Sequence, residues 1–281
     1  MIAGNRRLTT TQKVILYTAL ALFLFSAIFP PYWIFLTSLK KGRDVFNTAE
    51  VLIPRHLTLT NYITLLQQNE ITQWIVTSTV LALVSTATAL AVAILAAFSL
   101  THFRYRGIHA LGLAVFFAYV IPKGLLFIPL FLLLNRIGLV GTFPGLVLAH
   151  ETFSIPFCTW LLYGYFKTLP KELMDAARID GCGPLGVLGR VILPLAAPGI
   201  VTAAIFAFTT SWNEFLYAAS LTTSNALKTL PLGIAGFLVA DSFIWGSMMA
   251  AATIATVPMV ILFIVMQRFI VQGLTSGAVK G

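Results

Sequence analysis

Six apolar runs dominate the chain, and each is long enough to cross a bilayer as a helix, which takes roughly 20 residues. They extend over Val14 to Leu39, Ile71 to Leu100, Ile108 to Leu134, Val140 to Phe166, Val191 to Ser220 and Ser247 to Val271. Backbone in hydrocarbon has no water to bond to, so such runs fold as helices. The expectation is an all-α, polytopic membrane protein with six transmembrane helices. Composition agrees: 58% of the 281 residues are hydrophobic and only 10% are charged. A water-soluble core has no place for that much apolar surface.

Basic residues set the orientation. The net charge of +9 would suggest nucleic acid in a soluble protein. Here Lys and Arg stand in ones and twos at the ends of apolar runs, which fits lipid headgroups and topology and predicts no nucleic-acid partner. With the N-terminus inside, the inner segments hold Arg6, Arg7, Lys13, Arg104, Arg106, Lys167, Lys171, Arg178, Arg190, Arg268 and Lys280. The outer segments hold Lys40, Lys41, Arg43, Arg55, Arg136 and Lys228, and Lys123 falls within a span. The inner excess predicts an N-in, C-in chain. Arg6, Arg7 and Lys13 ahead of an apolar run also suit a signal peptide. That run continues through Pro30 and Pro31 without a small-residue cleavage site, so it reads as an uncleaved helix. Cys158 and Cys182 lack metal-ligand spacing, and Cys182 falls on the reducing inner side, so no disulfide is expected.

One inner segment is too elaborate for a plain connection. Lys171 to Pro194 reads KELMDAARIDGCGPLGVLGRVILP. Pro170 suits a helix start, Lys171 to Asp180 reads as a short helix, and Gly181 suits the left-handed position past its end. Leu169, Leu173, Ala176 and Ala177 share one face, flanked by Lys171, Glu172, Asp175 and Arg178. Such a helix either seats in a groove of another protein or lies on the membrane with Asp175 paired to Lys171 or Arg178.

The same segment resembles the signature of membrane subunits of ATP-binding-cassette importers: Glu-Ala-Ala, three residues, Gly, nine residues, Ile-x-Leu-Pro. Here Asp175-Ala176-Ala177, Gly181 and Val191-Ile192-Leu193-Pro194 keep that spacing, with Asp for Glu and Val for Ile. Other stretches resemble the carbohydrate branch, the maltose-transporter type and its second permease subunit. They are PPYWIFLTSLK (Pro30 to Lys40), LIPRHLTLTNY (Leu52 to Tyr62), IPLFLLLNRIGLVGT (Ile128 to Thr142), TSWNEFLYA (Thr210 to Ala218) and QRFIVQGLTSGAVKG (Gln267 to Gly281).

The resemblance implies a type I importer permease in a bacterial cytoplasmic (inner) membrane. Residues 1–70 would form an N-terminal tail, the first transmembrane helix and an outer loop. Residues 71–271 would form a five-helix core with a coupling loop at 168–190, and 272–281 a cytoplasmic tail. The implied partners are a second, homologous permease, a dimeric cytoplasmic ATPase, an extracytoplasmic solute-binding protein and membrane lipid. The implied contacts with the ATPase are Glu172, Asp175, Ala176, Ala177, Arg178, Asp180, Gly181 and Pro194. No phosphate-cradling G-x-x-x-x-G-K-[ST] segment occurs, so no cofactor is expected in this chain, and ATP and Mg would be bound by the partner.

Ionisable groups at membrane depth are costly and face a partner or a cavity. The candidate substrate-path residues are therefore Lys123, Glu151, Trp212, Asn213, Glu214 and Tyr217. Asn213, Trp212 and Tyr217 suit sugar hydroxyls and sugar faces, whereas Lys123 and Glu151 can also pair with each other. Lys123 leaves room for a charged sugar derivative. Alternative readings are an importer of a non-sugar solute and a stand-alone secondary transporter, whose inverted repeats are not evident. An intramembrane enzyme has little support, because His150 lacks a partner placed as an activated nucleophile.

Overall fold

The computed structural model describes residues 9–41, 44–45, 56–67, 70–238 and 245–278. Arg6, Arg7, Arg43, Arg55 and Lys280, used above for orientation, lie outside the described residues, as do Leu52 to Arg55 and the last three residues of the tail. Side chains are described up to Gln267. Among the described residues the regular elements are helices, as the apolar runs require. In chain order they form α1 (Thr10–Ser38), α2 (Thr60–Gln67), α3 (Glu70–His102), α4 (Ile108–Val120), α5 (Lys123–Arg136), α6 (Phe143–Phe166) and α7 (Lys171–Ile179). There follow α8 (Pro184–Val187), a π turn at Leu188–Ile192, α9 (Leu193–Leu195), α10 (Ala197–Trp212), α11 (Leu216–Leu221), α12 (Leu230–Gly236) and α13 (Trp245–Ala278).

Helices α1, α3 and α6, and residues Trp245–Gln267 of α13, are each long and apolar enough to cross a membrane. The other two apolar runs are bent. The α4–α5 pair turns by 103° at Ile121–Pro122, and the α8–α9 segment meets α10 at 79°. The run expected to continue to Ser220 also stops at Trp212 and restarts at Leu216.

The chain divides into two compact units. One comprises residues 1–69 and 237–256, the other residues 70–236 and 257–281. In the first, α1 starts with a capping box between Thr9 and Gln12 and runs through Pro30 and Pro31 without ending. Its large side chains from Val14 to Ile28 are exposed, which suits a helix solvated by lipid rather than by its own chain. Its far end is pinned by α2: Asn61 Nδ2 donates to the carbonyls of Ser38 and Lys40 at 2.7 and 2.9 Å, and Tyr62 Oη shares a 2.6 Å hydrogen bond with Ser38 Oγ.

In the second unit α3 lies along α6, and α10 packs on both. Small residues make this possible. Ala82, Ala89, Ala93 and Ala97 of α3, Ala149 and Cys158 of α6, and Ala203 and Ala207 of α10 are all buried. Lipid tails are as apolar as the helices, so close backbone approach and dense packing replace hydrophobic drive between helices. Gly199 of α10 shows how tight the fit is, since a Cβ there would run into the Tyr165 ring. Thr142 caps α6 by accepting from the Gly145 amide at 3.1 Å.

Candidate functional site

The short α7 projects from one end of the second unit and is held on one side only. Met174 and Ala177 are buried in a cluster with Phe98, Leu162, Phe166 and Ile192. Leu173 is 45% exposed, Ile179 87% and, past the turn, Leu185 74%. The stripe expected from the sequence is therefore split. Ala177 turns inward with Met174, while Leu173 and Ala176 stay outside, joined by Ile179, which the sequence reading passed over. An apolar residue between Arg178 and Asp180 was the available signal.

The end of α7 is fixed by its own backbone. Gly181 has φ +84°, its N–H donates to the Arg178 carbonyl at 3.0 Å, and the Cys182 N–H donates to the Ala177 carbonyl at 2.9 Å. That pair of bonds is a Schellman motif, which needs a left-handed residue where glycine alone pays no steric cost. Asp175 and Arg178 pair locally at 3.3 Å with more than half of each side chain exposed. Glu172 and Asp180 are exposed as well. Beside the helix lies a recess of about 750 Å³ lined by Arg104, Lys167, Lys171 and Arg178, with Asp175 the only carboxylate there among the described residues.

Pro194 is placed apart from the exposed face of α7. It sits in α9, between the π turn and the bend into α10. Val187, Leu188 and Ile192 of the intervening segment are buried in the same cluster as Met174 and Ala177. The loop is thus a packed body that joins α7 to α10.

A second group of residues gathers around His150, in the first half of α6. His150 is fully buried; its Nδ1 shares a 2.6 Å hydrogen bond with Ser211 Oγ and its Nε2 is 3.8 Å from Glu214 Oε2. The Glu214 carboxylate accepts from the Tyr217 amide at 3.0 and 3.1 Å and from the Ala218 amide at 3.1 Å. It therefore caps α11 where the fifth run breaks, which is favourable for an anion at a helix N-terminus. The Tyr217 hydroxyl donates to the Lys123 carbonyl at 3.2 Å, tying this break to the bend between α4 and α5. The Ser-His-Glu order resembles a catalytic relay, but Ser211 is only 5% exposed, and the observed role is structural.

Several substrate-path expectations change accordingly. Trp212 is 2% exposed and Tyr217 1%. Trp212 stacks on Phe208 and Tyr217 on Phe153, so neither presents a face to a sugar. Asn213 is exposed, with its amide nitrogen donating to the Thr209 carbonyl at 2.9 Å. Glu151 accepts from the Thr88 hydroxyl at 2.5 Å. Lys123 instead places Nζ 3.9 Å from the centre of the Phe153 ring. A Lys123–Glu151 ion pair is absent among the described residues.

The long apolar helices and the bent pairs are those of a membrane-spanning protein, with α7 exposed on one side. Residues 89–276 match the model of the binding-protein-dependent transport system inner membrane component family. The chain belongs to that family. It is 35% identical over 272 residues to the sulfoquinovosyl glycerol transport system permease protein SmoH of Agrobacterium fabrum, covering 96% of this chain and 94% of that protein. It is 37% identical over 257 residues to the trehalose transport system permease protein SugB of Mycobacterium tuberculosis, covering 91% and 93%. It is 33% identical over 278 residues to the trehalose/maltose transport system permease protein MalG of Thermococcus litoralis, covering 96% and 98%. Its fold matches a chain of a bacterial ABC transporter involved in import of the acidic polysaccharide alginate, with TM-score 0.83 at 22% identity, over 95% of this chain and 100% of that one.

Proposed function

We propose that this chain is one of two homologous permease subunits of an ATP-driven importer of a carbohydrate or sugar derivative in a bacterial inner membrane, with both termini inside. An extracytoplasmic solute-binding protein delivers the sugar. A dimeric cytoplasmic ATPase, which holds the ATP and Mg, drives the change of access. Relatives named for trehalose, maltose and sulfoquinovosyl glycerol transport support the carbohydrate class.

The observation that carries the mechanism is the one-sided anchoring of α7. Its inner face, Met174 and Ala177, belongs to the membrane unit, and its outer face, Leu173, Ala176 and Ile179, is bare beside a positive recess. An apolar tip ringed by charge is the form of a peptide element that seats in a groove of a partner. The partner groove should be apolar at its floor and acidic at the rim next to Arg104, Lys167 and Lys171. Glu172, Asp175, Arg178 and Asp180 serve as the polar rim of the joint. Closure of the ATPase dimer then pushes α7, and the packed π turn, Pro194 and the 79° bend pass that push to α10.

The test is reconstitution of the chain with its sibling permease, ATPase and binding protein in vesicles. Solute uptake should require ATP and the binding protein. Uptake by this chain alone, driven by a proton gradient, would establish a secondary transporter instead.

A further inference from the structure

The carbohydrate reading leaves one side chain unexplained. Lys123 is the first residue of α5, at the 103° bend after α4, and it lies against Phe153 near the middle of α6. Among the described residues no carboxylate is within ion-pair distance of it. Glu151 is engaged by Thr88, and Glu214, whose oxygens cap α11, acts on Lys123 only through space. Lys123 is itself exposed on this chain, so at membrane depth its ammonium faces a wet path or a partner, where a cation still needs a counter-charge. The Phe153 ring attracts the ammonium but brings no net charge. The helix position also works against the cation, because the N-terminus of α5 carries partial positive charge.

A cavity adjoins the lysine. It has a volume of about 130 Å³ and is lined by Tyr119, Lys123, Thr152, Phe153, Ser154 and Thr210, among others. Ser154 is 2% exposed, and its hydroxyl has no hydrogen-bond partner. A buried hydroxyl left unbonded is costly, so this wall is short of a ligand. The cavity is smaller than the roughly 300–1,000 Å³ of a pocket for a whole drug-sized molecule. It has space for about four waters' worth of liquid volume, at ~30 Å³ each. That suits one oxyanionic group rather than a whole sugar ring. The walls supply a cation, hydroxyl donors and the exposed Tyr119 ring, against which the adjoining sugar carbons can pack.

We propose that this cavity is a subsite for the acid group of an anionic sugar, a carboxylate or sulfonate, with Lys123 as its counter-ion and Ser154 as a hydrogen-bond donor. This rests on the carbohydrate reading and narrows it. Two features act in the same direction: an oxyanion neutralises Lys123, and it also interacts favourably with the N-terminus of α5. Tyr119 and Thr210 offer the remaining hydroxyls that such a head can use, whereas the Thr152 hydroxyl already donates to the Ala149 carbonyl at 2.7 Å. A neutral sugar would leave the ammonium without a counter-charge on passage.

The test uses the complete importer in vesicles and two readouts. In the first, uptake is measured for neutral disaccharides and for matched uronic-acid and sulfonated sugars, with wild type, Lys123→Gln and Lys123→Arg. The acidic sugar should be the transported one, at least tenfold slower in Lys123→Gln and partly recovered in Lys123→Arg. Transport restricted to neutral sugars, or acidic-sugar uptake indifferent to Lys123→Gln, would overturn the subsite and leave carbohydrate import standing. If no carbohydrate of either kind is taken up, the carbohydrate reading falls, and the second readout decides the anion site by itself.

That readout is chemical modification of Thr210→Cys in the assembled complex, with Cys158 and Cys182 replaced by alanine. A negatively charged methanethiosulfonate should react several-fold faster than a neutral one of similar size when Lys123 is present, and glucuronate should slow the reaction where glucose does not. Equal rates for the two reagents would overturn the proposal even if Lys123→Gln fails to assemble. Repeating the labelling with and without phosphatidylglycerol separates a sugar acid from a lipid phosphate. A preference abolished by the anionic lipid would assign the site to lipid and overturn the sugar reading of it.

Discussion

Replacing Ile179 by serine gives the sharpest quantitative expectation. In the structure the side chain is 87% exposed, so nearly all of its apolar surface is available for burial in a partner. Full burial of an isoleucine contributes about 1.5–3 kcal/mol. Its loss should weaken ATPase attachment by roughly ten- to more than a hundredfold, at about 1.4 kcal/mol per factor of ten. Leu185, 74% exposed, should show a similar effect if it reaches the same groove, and the double variant should lose the ATPase on purification. The membrane unit itself should be undisturbed, because Ile179 is mostly out of contact with its own chain. The assay is titration of purified ATPase onto the permease pair in nanodiscs, with thermal unfolding of the pair as control. An unchanged affinity in Ile179→Ser, with stability also unchanged, would show that the bare face of α7 is not the docking face.

Three further outcomes are expected. Gly181→Ala should lower ATP-driven uptake by about five- to thirtyfold at most, because a left-handed non-glycine residue costs roughly 1–2 kcal/mol. An added Cβ meets nothing within 4 Å, so backbone strain is the whole effect; Gly181→Asn should therefore retain more uptake, and equal losses in the two variants would refute this cause. Asp175→Asn should change the melting temperature little, since so exposed a pair contributes about 0–1 kcal/mol, while uptake should fall clearly and be regained in Asp175→Glu. Glu214→Ala should lower the unfolding temperature of the reconstituted pair through loss of a helix cap worth about 0.5–2 kcal/mol; a neutral result would remove Glu214 from the structural role.

The straight spans were legible because length and apolar content alone specify a helix in lipid. The bends were not. Pro122 ends one helix and precedes another, whereas Pro129, Pro156 and Pro258 sit inside helices that continue. Proline removes one donor in each case, and the packing around it decides whether the helix breaks. The break after Trp212 was marked only by the polar pair Asn213 and Glu214, which reads equally as a path element, and the capping by the Glu214 carboxylate shows only in the structure. The loop from Lys171 to Gly181 was legible as a short helix with a glycine cap, since local sequence determines both. Which side faces its own chain was not, because periodicity defines a stripe without saying who covers it. Met174 took the inward place, and Ile179 was left outside.

The central claim is that α7 is gripped from outside by the ATPase. A photo-crosslinking amino acid at Ile179 in the fully assembled importer tests it most directly. The expected adduct joins this chain to the ATPase subunit, and its yield should change when ATP hydrolysis is arrested by vanadate. An adduct with lipid or with the solute-binding protein, and none with the ATPase, would contradict the claim.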